Sequence, residues 1–160
     1  METNTLDKEL KKIIGDRFNI SESVISNYAR GEDVFDPILS KGIAFPNNNE
    51  EISKILKFCN KNSIPVVPFG TGTSLEGHVL GNEEGITISL ENMNKILSIN
   101  EQDFDCRVQS YVTRNQLNNE LKDKGLFFPI DPGADASIGG MTATSASGTM
   151  AVKYGTMKTV

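Results

Sequence analysis

Glycine, hydroxyl residues and the chain's one histidine crowd into the run GTGTSLEGH, Gly70 to His78. A bound phosphate needs several backbone N–H donors converging on one point with no side chains in the way. Gly70, Gly72 and Gly77 provide the dihedral freedom and the close approach, and Thr71, Thr73 and Ser74 add hydroxyl groups. The spacing is not the G-x-G-x-x-G that opens a helix, and no Gly-Lys-Ser/Thr follows. The run continues through HVLGNEEG towards another strand, so no helix dipole is offered. Taken alone, it reads equally well as a phosphate cradle or as a surface turn between strands. Three glycines with three hydroxyl residues are more than a turn needs.

A second segment, DPGADASIGGMTATSASGTMAVKYG, runs from Asp131 to Gly155. Pro132 and Gly133 signal a turn. Gly139 and Gly140 let backbone pass close to a neighbour. Thr142, Thr144, Ser145, Ser147 and Thr149 add hydroxyls with little bulk. Such a stretch rarely builds a core by itself. It is either a flexible linker or a wall around a large planar or phosphorylated ligand, and its Ala and Met content speaks against the linker.

Other reactive side chains have plainer readings. Asp131 and Asp135 are better placed as turn caps beside Pro132 than as an acid–base pair. Glu83 and Glu84 read as a solvated tip. Cys59 and Cys106 match no metal or redox spacing, and both read as core positions with reduced thiols. Tyr154 could be an ordinary half-buried aromatic. No catalytic residue and no metal ligand is assigned.

The elements that must position these segments follow from periodicity. Residues 1–31 read as helical, with Leu6, Leu10, Ile13 and Ile14 on one face. Ser21 caps a second short helix with Val24, Ile25 and Tyr28 inward, ended by Gly31. Residues 32–48 read as a connecting stretch with one short strand from Gly42 to Phe45. Asn48 or Asn49 caps a helix with Glu50 and Glu51 in its first turn, and Ile52, Ile55, Leu56 and Cys59 form its apolar face. Strands are expected at Ile64–Phe69, Ile86–Leu90 and Ile96–Ile99. In another strand Cys106, Val108 and Ser110 alternate with Asp105, Arg107 and Gln109. Thr113 and Gln116 have capping-box spacing for a helix over roughly 114–124 with Leu117 and Leu121 inward, closed by Gly125. Helix alternates with strand, so the chain is mixed α and β.

Bulk properties narrow the field. The net charge of −5, with both signs interspersed, argues against a nucleic-acid partner. No apolar run approaches the roughly 18–20 residues of a membrane span. The start METNTLDKELKKII has no signal-peptide core, so a cytoplasmic protein is expected.

The motifs IPVVPFGTGTSLEGH (64–78), FFPIDPGADASIGGM (127–141) and AVKYGTM (151–157) together resemble the FAD-binding domain of the vanillyl-alcohol oxidase and p-cresol methylhydroxylase (PCMH-type) superfamily. Within it they are most similar to the D-lactate dehydrogenase and glycolate oxidase branch. The likeness is good from about Phe45 onward. The wider family often has Asn-Ala-Gly-Gly where this chain has Ser145-Ala146-Ser147-Gly148, and the D-lactate branch is closer there. The resemblance implies an α+β fold of two small lobes, the first parallel and βαβ-like, the second of mixed strands and helices. A helical segment over 1–40 precedes an FAD-binding domain over 41–160, truncated at its carboxyl end and without the substrate domain.

It also implies the cofactor, FAD, and where it is held. The family's pyrophosphate loop matches Pro68 to His78, with Gly70, Thr71, Gly72, Thr73, Ser74 and Gly77 as contacts. Its second FAD segment matches Pro132, Gly133, Ala134, Ser137, Gly139, Gly140, Thr144, Gly148, Tyr154 and Gly155, with Tyr154 a flavin neighbour. The diphosphate is expected between the two segments. Some superfamily members attach FAD covalently through a histidine near His78. The D-lactate branch generally does not, which favours a loop contact for His78. In such enzymes a small 2-hydroxy acid, bound through the missing domain, passes a hydride to the flavin, and a quinone or cytochrome takes the electrons. The implied place is cytoplasmic, or peripheral at the inner membrane. The alternative is a stand-alone FAD- or nucleotide-binding module without catalysis; other flavin chemistry on the same fold is a third reading. For the 160 residues alone the expectation is poor stability, weak FAD binding and no turnover.

Overall fold

Leu6, Leu10 and Ile14 recur at helical spacing, and the computed structural model, which describes residues 2–159, buries all three on one face of helix α1 (Thr3–Ile14). Gly15 ends the helix at φ 63°, in the region that costs a side-chain-bearing residue most. The helical expectation for residues 1–31 then fails in part. Phe18–Asn19 forms a short strand, β1, paired antiparallel with β2 (Ile43–Ala44). Pairing lets the Phe18 ring enter the core at 1% exposure, and that tertiary gain overrides local helical tendency. Helix α2 (Glu22–Ile25) follows; its Ser21 side chain makes no capping bond, and Gly31 does not adopt the left-handed conformation of a helix stop.

Helix α3 (Asn49–Lys61) starts where expected. Asn48 Oδ1 accepts from Glu51 N at 2.9 Å. Ile55 and Cys59 are buried, and Phe58 packs against the same core. Leu56 does not: it is 44% exposed, and the buried face is narrower than the full apolar stripe. Strands β3 (Val66–Phe69) and β4 (Ile86–Ser89) complete a four-stranded sheet in the order β1-β2-β4-β3. β2, β4 and β3 run parallel, so β2–α3–β3 is the expected βαβ unit with β4 inserted between its strands. β4 is buried along its whole length, as a parallel central strand covered on both faces should be. Arg17 clamps this arrangement. Its Nη1 and Nη2 donate to Glu51 at 2.5 and 2.6 Å, and Nη1 also reaches the Phe45 carbonyl at 3.1 Å. The hydrogen bond from Arg17 holds the Glu51 carboxyl below its ordinary range despite burial.

The chain divides into two compact units, the first ending at Asn92 and the second beginning at Met93. In the second, β5 (Ile96–Asn100) and β6 (Asp105–Val108) form an antiparallel pair with a register shift between Ile96 and Ser98. Helix α4 (Arg114–Leu121) is capped by Thr113, whose Oγ1 accepts from Gln116 N at 3.2 Å. Gly125, at φ 69°, closes the turn after it. Val112, Leu117 and Leu121 make one core with Ile96, Ile99 and Val108 around them. Cys106 is not part of it, contrary to expectation. It shares a strand face with Val108 but lies closer to the exposed turn at residues 101–104, where its side chain stays exposed.

The small-residue segment is not a linker. It forms α5 (Ile138–Thr144) and α6 (Ala151–Tyr154), and Met141 anchors it in a core with Ile130 and Ala136. Main-chain bonds from Ala146 N to Met141 O (2.9 Å) and from Met157 N to Ala146 O (3.0 Å) lock the chain between the helices.

Candidate functional site

Strand β3 delivers buried Phe69 and exposed Pro68 to the edge of the glycine run. Gly72 and Gly77 turn the chain at φ 72° and 73°. Phe69 supports the turn from beneath: a Cβ on Gly72 would stand 2.9 Å from its ring. Among the described residues, the backbone N–H groups of Gly70, Thr71, Gly72, Thr73 and Ser74 donate no hydrogen bond to another protein group. Buried or half-buried amides are ordinarily paired, so a row of open donors at a positive-φ turn suits an anion with several acceptor oxygens. The hydroxyls face one another, Thr71 Oγ1 lying 3.5 Å from Thr73 Oγ1. His78 Nδ1 sits 2.9 Å from Ser74 Oγ, and its Nε2 lies 3.5 Å from Glu76 Oε2. The imidazole thus braces the loop from its exposed side.

The second segment is built differently. Pro132 is exposed, and Gly133, at φ 94°, donates to Asp131 Oδ1 at 3.1 Å. Asp131 also pairs with Arg114 at 2.7 Å, and Asp135 Oδ1 accepts from Asn115 N at 2.9 Å. Both aspartates therefore serve turns and a helix start, as their positions suggested. The backbone amides at the start of α5 are occupied. Ile138 N donates to Val112 O and Gly139 N to Ser110 O, each at 2.8 Å, and Gly140 N donates to Ser137 Oγ at 3.3 Å. Thr144 Oγ1 turns back to Gly140 O at 3.1 Å. The amides of Gly139 and Gly140 are thus engaged within the protein, and what these residues offer a ligand is close approach rather than donation. Gly148 is required by packing: a Cβ there would stand 2.1 Å from the Asp131 carbonyl oxygen. Half-buried Ala134 lies in the turn before Ser137. Tyr154, 37% exposed, meets Phe127 edge to face at 5.4 Å, carries Lys153 Nζ 4.9 Å from its ring centre, and is followed by Gly155 at φ 87°.

So the structure gathers the first set of residues into one loop of the first unit, and the second set around α5 and α6 of the second unit. Two cavities lie elsewhere: one of about 450 Å³ along β5 and β6, and one of about 470 Å³ on the outer face of α3 around Ile52 and Leu56. Neither is lined by a residue of the two segments. Among the described residues, no group of three or more His, Cys, Asp or Glu could hold a metal ion.

A sequence model described as "FAD binding domain" matches residues 40–160. The chain belongs to this FAD-binding domain family. Both segments fall inside the matched range. The probable mitochondrial D-lactate dehydrogenase of Danio rerio is 44% identical over 149 residues, which cover 92% of this chain and 30% of that protein. The mitochondrial "D-lactate dehydrogenase [cytochrome] 1" of Saccharomyces cerevisiae is 50% identical over 119 residues, covering 72% and 20%. These are relatives of the branch that the motifs pointed to, and the chain spans under a third of their length. An alkyldihydroxyacetonephosphate synthase structure superposes with a TM-score of 0.87 at 20% identity, covering 99% of this chain and 32% of that one. p-Cresol methylhydroxylase superposes at 0.75 and 19%, covering 89% and 29%. The FAD-binding domain thus has the PCMH-type α+β fold.

Proposed function

We propose that this chain is the FAD-holding part of a flavin-dependent dehydrogenase of small 2-hydroxy acids, with D-lactate the first substrate to try. The observation that carries the reading is the open row of amides from Gly70 to Ser74, in a chain 44% identical to a probable D-lactate dehydrogenase. Gly70, Thr71, Gly72, Thr73, Ser74 and Gly77 would hold the diphosphate through N–H and hydroxyl donors. Pro68 and His78 would bound that loop. Pro132, Gly133, Ala134, Ser137, Gly139, Gly140, Thr144, Gly148, Tyr154 and Gly155 are the further cofactor-binding residues of this reading, with Tyr154 a flavin neighbour. When bound, FAD supplies the two-electron chemistry, and the protein supplies binding and orientation. The electrons would pass to a cytochrome, as the bracketed word in the yeast relative's name suggests, or to a quinone. Among the described residues no helix is long and apolar enough to cross a membrane. A place in the cytoplasm, or peripheral at an inner membrane, is part of the same proposal.

The 160 residues by themselves would bind FAD weakly and without turnover, because they span under a third of the length of the dehydrogenases they match. Flavin titration and D-lactate oxidation by the purified chain test both statements. FAD binding without lactate oxidation is expected. Absence of any FAD affinity would refute the reading, and lactate turnover by this chain would refute its catalytic half. Acid precipitation should release all the yellow colour, since His78 Nδ1 is engaged by Ser74 and a loop contact rather than a covalent bond is proposed.

A further inference from the structure

The stretch after α2, read from sequence as a mere connection, is folded against the glycine loop. Glu32 N donates to the Gly72 carbonyl at 2.9 Å. Gly31 lies so close that a Cβ there would stand 2.6 Å from Gly72 O and 2.8 Å from Ser74 O. Its backbone is outside the left-handed region, so contact with the loop, not its own dihedrals, demands glycine. Asp33 is 8% exposed, and its carboxylate is fully engaged with this stretch's own backbone: Oδ2 accepts from Gly31 N and Oδ1 from Phe35 N, both at 3.0 Å. The Phe35 ring lies 3.0 Å from the position a Cβ on Gly77 would take. Ala29 O accepts from Gly81 N at 3.3 Å beyond the loop's far end. Residues 29–35 thus touch the glycine run at Gly72, Ser74 and Gly77 and the chain just beyond it at Gly81, yet precede the range matched by the family.

We propose that residues 29–35 form a strap that fixes the shape of the Gly70–His78 loop, with Gly31 and Asp33 as positioning residues for cofactor binding; this rests on the reading of that loop as the FAD diphosphate site. The strap bonds the Gly72 carbonyl through Glu32 N and packs Gly31 against the Ser74 carbonyl. Within a trans peptide the C=O of one residue is antiparallel to the N–H of the next, so the bond from Glu32 to the Gly72 carbonyl turns the Thr73 N–H away from the strap. Asp33 keeps the strap itself in register through two charge-assisted bonds to backbone amides. An organised loop binds without the ordering cost that a mobile one incurs.

The test uses the full chain with FAD and, separately, ADP as probes. In the unsubstituted protein, hydrogen exchange at the Gly70–Ser74 amides should slow on adding either probe. If it does not, the diphosphate reading itself fails, whatever the strap does. Given that protection, Gly31→Ala should raise the Kd for FAD and for ADP about tenfold or more, measured well below the variant's own lowered apo midpoint so that the loss is not one of folded population. Asp33→Ala should weaken both probes, and Asp33→Asn should recover part of the loss, because its amide oxygen keeps one of the two acceptor bonds. Unchanged affinity in Gly31→Ala overturns the proposal. So does an affinity loss in Asp33→Ala that Asp33→Asn does not relieve and that tracks a fall in the melting midpoint, for then the residues act on stability alone. Should Gly31→Ala fail to fold, the two Asp33 variants decide the matter.

Discussion

Burial to 1% exposure pushes the Cys59 thiol up to about 11, which leaves roughly a hundredfold less thiolate than an ordinary cysteine would carry. Cys106 is raised too, by partial desolvation and by Asp105, but it is exposed. Iodoacetamide at mildly alkaline pH should therefore label Cys106 and spare Cys59 in the folded protein, with Cys59 reacting only after denaturation. Peptide mass spectrometry checks this, and equal labelling of both in the native state would mean the α3 packing is wrong. Glu51 carries a second residue-scale prediction. Arg17 lowers its pKa in the folded state, so its contribution is present in full above the unfolded value of about 4.3 and is lost as pH falls through the lower folded value. Glu51→Gln should cost about 1.5–3 kcal/mol at neutral pH, and the penalty should shrink in acid. Urea midpoints at pH 7 and below about pH 4 measure both.

Helix starts set the next scale. Asn48 and Thr113 each occupy an extended residue just before an apolar-periodic run, and each side chain caps the amide three residues on. Asn48→Ala and Thr113→Ala should each cost about 1 kcal/mol. Ser137→Ala should cost more, towards about 2 kcal/mol, since Ser137 is 1% exposed and removing its hydroxyl leaves a gap in buried surroundings as well as ending the bond to Gly140 N. Chemical denaturation of the three variants ranks them, and a Ser137 variant no weaker than the others would contradict the account of α5. The caps at α3 and α4 are legible in sequence because a cap and its amide are three residues apart. β1 is not, because two residues carry no period, and its existence depends on β2, twenty-five residues further on.

For the whole molecule, ligand linkage gives a quantity to measure. FAD at about a hundredfold excess over its Kd should add about 2.7 kcal/mol to whatever binds it. Hydrogen exchange can read this separately in each unit, at the buried amides of β4 in the first and at buried Met141 of α5 in the second. Slowed exchange in both is the expected result. Slowing confined to the first unit would remove the second segment from the cofactor site and leave the Gly70–His78 loop as the whole of it.

By itself the sequence determined the two glycine-rich segments, their family, the βαβ order and the capped helices, since each depends on residue types at short, fixed spacings. Tertiary structure alone decided which amides remain open. The N–H groups of Ile138 and Gly139 are taken by Val112 and Ser110, carbonyls more than twenty-five residues away, while those of Gly70 to Ser74 find no such partner among the described residues. The same distance effect hid the strap at Gly31 and Asp33 and turned Leu56 and Cys106 outward. A hydrogen bond or a packed face is a property of two places in the chain, and spacing within one of them cannot report the other.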